Sequence, residues 1–279
     1  MLVVFASSLL AQQTDWIAAG NRALDNGSPE EAAADFARAL DVDMRAATSI
    51  KDLLHLRVTL ATAYLEAGEY RQMEAVLEEA QKTAWQLNDG VSRAELLNAW
   101  SALHLKLGRL RAAEAELQEA QQIVTKLPDA GDLHPAVLHN LAAVEMRTGR
   151  YPDALSHEKE AMSRFEKILA PDHPTLIRGW ASLASLQYMM GQTQEAKISI
   201  ERAMASAEKT YGAAHPFLAD LLESDAIVLD KLKLRKEAKR ARDRARKIRG
   251  GAAPARHDPL TSSVRGASSP DGKVYLQSK

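Results

Sequence analysis

The residues able to do chemistry are scattered along this chain. His157-Glu158 opens the zinc-hydrolase pattern H-E-x-x-H, but Ala161 stands where the second histidine belongs. His134 and His139 lie five apart, a spacing that does not put both on one helix face as metal ligands. Paired carboxylates such as Glu78-Glu79 could move protons, yet they fall on the outer face of a helical pattern, where charge is simply solvated. There is no cysteine, which excludes thiolate nucleophiles and disulfides. No G-x-x-x-x-G-K-S/T phosphate loop, G-x-G-x-x-G turn or G-x-S-x-G elbow occurs. The sequence therefore predicts no catalytic residue, no metal ligand and no cofactor, and the protein is expected not to be an enzyme.

Three histidines precede prolines, at His134-Pro135, His173-Pro174 and His215-Pro216. They bound segments with a shared plan, which points to a structural role. Between the last two pairs, Leu176, Trp180, Leu183 and Leu186 recur at the period of one helix face, and Ala196, Ile200, Ala203 and Ala207 do so after Gly191. Proline suits a helix start, because its missing N–H would have no partner there. Glycine reaches the left-handed turn conformation without steric penalty. The segment reads as helix, tight turn, helix.

Variants of it recur. Turn residues Gly27, Gly68, Gly108, Gly149, Gly191 and Lys233 are spaced 41, 40, 41, 42 and 42 apart. Seven residues before each stand Gly20, Ala61, Ser101, Ala142, Ala184 and Ala226; twelve after stand Ala39, Ala80, Ala120, Ala161, Ala203 and Ala245. Such small side chains let two helices approach closely. Large ones fill the gaps between them, including Trp16 and Trp180 eleven before the turn, and Phe36, Leu77, Leu117 and Ile200 nine after it; Trp100 is a further packing candidate. Asp225 stands where a large apolar residue is expected, and Arg242 is polar. Each hairpin exposes an apolar face that it cannot bury alone, so neighbours must stack. The expected fold is all-α: a right-handed α-solenoid of about six helix-turn-helix repeats over 13–249.

These columns resemble the tetratricopeptide repeat, and Trp16 with Ala19-Gly20 matches its opening. The long period and the His-Pro pairs resemble the variant found in kinesin light chains. The resemblance implies a concave groove lined by the first helix of each hairpin. Carried onto this sequence, it places Asn98, Lys106, His139, Arg147, Arg178, Ser185 and Tyr188 on the groove floor. Hydrogen-bonding groups beside cations there suit an extended peptide bearing a carboxylate. A clamp of the type that grips a C-terminal carboxylate is not implied: Asn21, Asn140 and Arg178 fall at such columns, but in repeats one, four and five, and the lysines are absent. The resemblance thus implies a non-catalytic scaffold that binds a peptide or protein.

Charge adds a second reading. The whole chain carries a formal charge of -1, which gives no overall bias toward nucleic acid or membrane. Residues 231–249, however, hold eleven Lys or Arg against Glu237 and Asp243, a local +9. This is either a capping helix with a solvated outer face or an attachment to an anionic membrane surface or nucleic acid. No aromatic residue interleaves these charges for base stacking, which argues against nucleic acid.

The two ends differ from the repeats. Residues 1–12 form an apolar segment, too short to span a bilayer and similar to the core of a secretory signal, with Ala11 at a cleavage point. Export to a periplasm or the exterior is the resulting expectation, with a cytoplasmic location the alternative. Residues 250–279, rich in Gly, Ala, Ser and Pro, are expected to be disordered.

Overall fold

Prolines and short polar caps open the helices. Pro29, Pro174 and Pro216 occupy first-turn positions. Ser49 Oγ accepts the Asp52 N–H at 3.1 Å, and Asp89 accepts the Val91 N–H at 3.1 Å. His173 and His215 do the same work: each Nδ1 accepts the N–H two residues on, at 3.2 Å. At these two sites the His-Pro pair is a cap followed by a pre-set first turn, whereas His134-Pro135 lies inside the first turn of α7, which begins at Leu133. Burial holds the His215 imidazole below the usual histidine pKa, which favours the neutral ring that a cap acceptor requires.

A computed structural model describes residues 2–25, 27–46, 49–84, 87, 89–128 and 130–251. It is helical throughout: α1 (Leu2–Asp25), α2 (Pro29–Ala46), α3 (Ile50–Ala67), α4 (Tyr70–Ala84), α5 (Gly90–Lys106), α6 (Leu110–Val124), α7 (Leu133–Arg147), α8 (Tyr151–Ile168), α9 (Pro174–Met189), α10 (Thr193–Tyr211), α11 (Pro216–Lys231) and α12 (Arg235–Gly251). The apolar run at the start belongs to α1. The segment expected to be disordered lies, beyond Gly251, outside the described residues. No described helix is long and apolar enough to cross a membrane.

One turn closes all six hairpins. Gly27, Gly68, Gly108, Gly149 and Gly191 have φ between 72° and 81°. Each turn residue donates to the carbonyl three back, and the next residue to the carbonyl five before itself, as Gly191 does to Tyr188 (3.0 Å) and Gln192 to Gln187 (2.8 Å). These bonds satisfy carbonyls that the helix end leaves open. Lys233 makes the same turn at φ 63°, bonding Asp230 at 3.0 Å while Leu234 bonds Leu229 at 2.9 Å. A side chain there costs about 1–2 kcal/mol, so the sixth repeat adopts the hairpin against its local preference.

The helices pack as two units, Met1–Leu133 and His134–Lys279. In the first, α1, α2 and α3 enclose Phe36, Ala32, Ala39, Leu56 and Leu60; α3, α4 and α5 enclose Leu54, Met73, Leu77 and Leu103. A Cβ on Gly20 would sit 2.7 Å from the Phe36 ring, so the absent side chain sets that approach. In the second unit, α7, α8 and α9 share Leu138, Met162, Phe165 and Leu186; α9, α10 and α11 share Ile177, Ile200, Phe217 and Leu221; α11 and α12 share Leu218, Leu222 and Ile248. Gly20, Ala61, Ser101, Ala142, Ala184 and Ala226 are all buried, as are Ala39, Ala80, Ala120, Ala161, Ala203 and Ala245. Trp16 and Trp180 are half-buried between their helices, each with a guanidinium over the ring: Arg38 at 4.8 Å and Arg202 at 4.6 Å.

Candidate functional site

In the first unit, α5 carries Asn98, Trp100 and Lys106, all half-buried. Ser101 Oγ donates to the Asn98 carbonyl at 2.7 Å. Beside them lies a cavity of about 1180 Å³, walled by α4, α5, α6 and the segments that follow α4 and α6. Its apolar wall includes Leu96, Leu97, Trp100, Ile123 and Leu127. The indole Nε1–H of Trp100 is buried and has no hydrogen-bond partner among the described residues. The expectation for Trp100 was packing alone; in the structure it also lines this space. Ion pairs mark the polar edge, His104 with Glu116 at 2.9 Å and Arg93 with Glu119.

In the second unit, α7 presents His139 and Arg147, and α9 presents Arg178, Ser185 and Tyr188. Arg147 is exposed; Arg178 and Tyr188 are half-buried. Ser185 departs from its expected role. It is buried, and its hydroxyl donates back to the Ala181 carbonyl at 3.0 Å. With Tyr188 it lines a cavity of about 10 Å³ between α9, α10 and α11, which is at the margin for one water. Burial pushes the Tyr188 phenol up, so it remains a neutral hydroxyl.

His139 also departs from its expected role as an open groove donor. Its Nδ1 lies 2.9 Å from both carboxylate oxygens of Glu158, which is fully buried on α8. Burial works to lower the imidazole pKa, but the Glu158 charge and hydrogen bond outweigh it and the net direction is upward. Arg178 acts on the same ring in the opposite sense, which places the α9 cation near His139. Glu158 stands nine after its turn, in the column that holds Phe36, Leu77, Leu117 and Ile200 elsewhere.

A further polar rung joins the helices of three hairpins. Residues four before and eight after the turn meet as His104–Glu116 at 2.9 Å, Glu145–His157 at 2.8 Å and Gln187–Ser199 at 2.7 Å. Their shared register was a signal in the sequence, readable by aligning on the turn residue. His157-Glu158, the fragment of a metal motif, is divided between two different structural pairs. Among the described residues, no group of three or more His, Asp or Glu could hold a metal ion.

Residues 133–209 match the family model for the tetratricopeptide repeat. The sequence matches none of the curated proteins compared with it. Among solved structures, BtubC from P. vanneervenii is similar at 17% identity and a TM-score of 0.63, over 90% of this chain and 94% of that one. A putative kinesin light chain of Podospora anserina, with nearly identical tetratricopeptide-like repeats, is similar at 21% identity and a TM-score of 0.56, over 74% and 99%. The Rap conjugation gene regulator of plasmid pLS20, solved in complex with a Phr peptide, is similar at 17% identity and a TM-score of 0.65, over 92% and 80%. The likeness is one of fold: the described residues form an all-α helical-repeat architecture similar to that of kinesin-light-chain-like repeats, and the tetratricopeptide match lies within residues 133–209.

Proposed function

We propose that the protein is a non-catalytic scaffold that captures a peptide or protein segment. The observation that carries this reading is the cavity of the first unit. It is large and mostly apolar, and it holds a buried Trp100 N–H that has no hydrogen-bond partner among the described residues. A buried donor left unpaired costs about 1–3 kcal/mol. A bound segment that placed a carbonyl on that N–H and an apolar side chain against Leu97 and Leu127 would remove the cost. Asn98 and Lys106 are the proposed polar contacts to a segment held by this unit; Arg147, Arg178 and Tyr188 are a separate proposed set, for a segment held by the second unit by itself. The peptide complex of the similar Rap regulator agrees with such a role for this fold.

The test is capture from a synthetic peptide library by immobilised protein. Trp100→Phe, which keeps the ring and removes the donor, should weaken capture by roughly 5–10-fold, the worth of one hydrogen bond. Arg147→Glu with Arg178→Glu should weaken capture of acidic peptides selectively, with circular dichroism unchanged. Equal capture by wild type and both variants would overturn the reading.

A further inference from the structure

The strongest unassigned feature is the outer surface of α12. One stripe of this helix, Ala238, Ala241, Ala245 and Ile248, is buried against α11. The opposite stripe carries Lys236, Lys239, Arg240 and Lys247, spaced three, one and seven apart and all exposed. Arg235 at the start of the helix, Lys233 in the turn before it and Lys231 at the end of α11 extend it.

The cations are sorted by type. Four arginines are engaged: Arg242 with Asp230, Arg244 with Glu208 at 2.8 Å, Arg246 with Asp243 at 3.2 Å, and Arg249 with both Asp220 and Glu223. These forks tie α12 to α10 and α11, or cancel charge within the helix. The outward cations, five of the seven being lysines, make no ion pair among the described residues. Guanidinium forks suit fixed bidentate partners, whereas lysine is a mobile point charge on a flexible stem. Four of the six arginines of 231–249 hold the protein's own carboxylates, while all five lysines, with Arg235 and Arg240, face out.

We propose that this stripe attaches the protein to an anionic lipid surface. Such a surface presents dense, fluid negative charge without fixed geometry, which lysines match. The stripe runs along a helix of 17 residues, about 25 Å long. It offers no aromatic side chain for stacking on bases and no Asn or Gln for reading base edges. The four cations within the helix have no large apolar side chain among them, and the exposed Leu234 lies beyond their N-terminal end, so attachment is chiefly electrostatic. Residues 1–133, with 12 Lys or Arg against 20 Asp or Glu, carry -8 and would be repelled by the same surface. Residues 134–230, with 9 Lys or Arg against 13 Asp or Glu, carry -4, so the net positive charge is concentrated in the last helix.

The test is co-sedimentation of the full chain with vesicles of phosphatidylcholine, with and without 30% phosphatidylserine (about a third anionic lipid), in 0.1 M salt. Binding should require the anionic lipid and fall steeply with added salt. Replacing Lys236, Lys239, Arg240 and Lys247 by Gln should weaken it by roughly 1,000-fold, at about 1 kcal/mol per cation near the surface. Circular dichroism should be unchanged, because these side chains meet solvent. Replacing the exposed Arg71 and Arg111 of the first unit by Gln should leave binding unaltered. Equal binding to both vesicle types, or no loss in the α12 variant, overturns the proposal. Retention by duplex DNA, or salt-sensitive self-association, without binding to the anionic vesicles also overturns it, in favour of nucleic acid or a second copy.

Discussion

Replacing His139 by Ala is expected to cost roughly 3–5 kcal/mol, as breaking a buried ion pair does. The substitution leaves Glu158, with no exposed surface, as an uncompensated carboxylate between α7 and α8. Its column holds Phe or an aliphatic residue in four other hairpins, Phe36, Leu77, Leu117 and Ile200, with Arg242 in the sixth, so the site has an apolar shape and a charged occupant. Glu158→Leu added to His139→Ala should therefore recover most of the loss, since an apolar replacement of the whole pair is often neutral or better. Urea unfolding followed by circular dichroism reads both effects. The pair also sets a pH dependence. The folded imidazole titrates above its unfolded value, near 6.5, so its contribution is fully present below that value and fades as pH rises through the higher folded one. Wild type should lose stability through this pair as pH rises past the unfolded value of about 6.5, and the double variant should not.

Asp225→Leu should have an effect of similar size and opposite sign, a gain of about 3 kcal/mol at pH 7.5. Asp225 sits on α11 where a large apolar residue is expected, 7% exposed, and its Oδ1 has no partner among the described residues. Burial is the main force raising its pKa to about 6 from 3.8. Glu201 and Glu237 push it further up, and Lys197, paired with Glu201, pulls it down. At about 1.4 kcal/mol per pKa unit, holding this carboxylate ionised costs about 3 kcal/mol. The folded state binds the proton more tightly than the unfolded chain does. The penalty is thus absent below about pH 4, grows to about pH 6 and is complete above it. Asp225→Asn should flatten that part of the stability profile while preserving shape. A stability gain from Asp225→Leu that is equal at pH 4 and pH 7.5 would show that titration is not the source.

The hairpins were legible because their determinants are local. A glycine, a small residue seven before it and another twelve after it are visible without knowing any long-range contact. Lys233 is instructive: spacing assigned the turn and composition argued against it, yet the backbone followed the spacing, because Ala238, Ala241 and Ala245 still had to reach α11. The histidine caps were legible as boundaries but not as caps, since imidazole is seldom the residue that accepts a first-turn N–H. The polar interior was not legible. Glu158 was legible only as part of an incomplete zinc motif, and its partner lies 19 residues away on another helix. Ser185 shared the face expected to be open, yet burial against neighbouring helices closed it. The inward arginines of α12 find acids 12 to 36 residues upstream, so composition alone counted them as free charge.

The central claim is that small residues in recurring columns let successive helices nest, and that function is mounted on that stack. Urea unfolding of Ala203→Leu tests it most directly. Ala203 is fully buried among Ile177, Ala184, Ile200 and Phe217, where extra carbons have no room. The account predicts a loss of about 1–3 kcal/mol, with the exposed Ala205→Leu nearly silent as control. An Ala203→Leu protein as stable as wild type would contradict it.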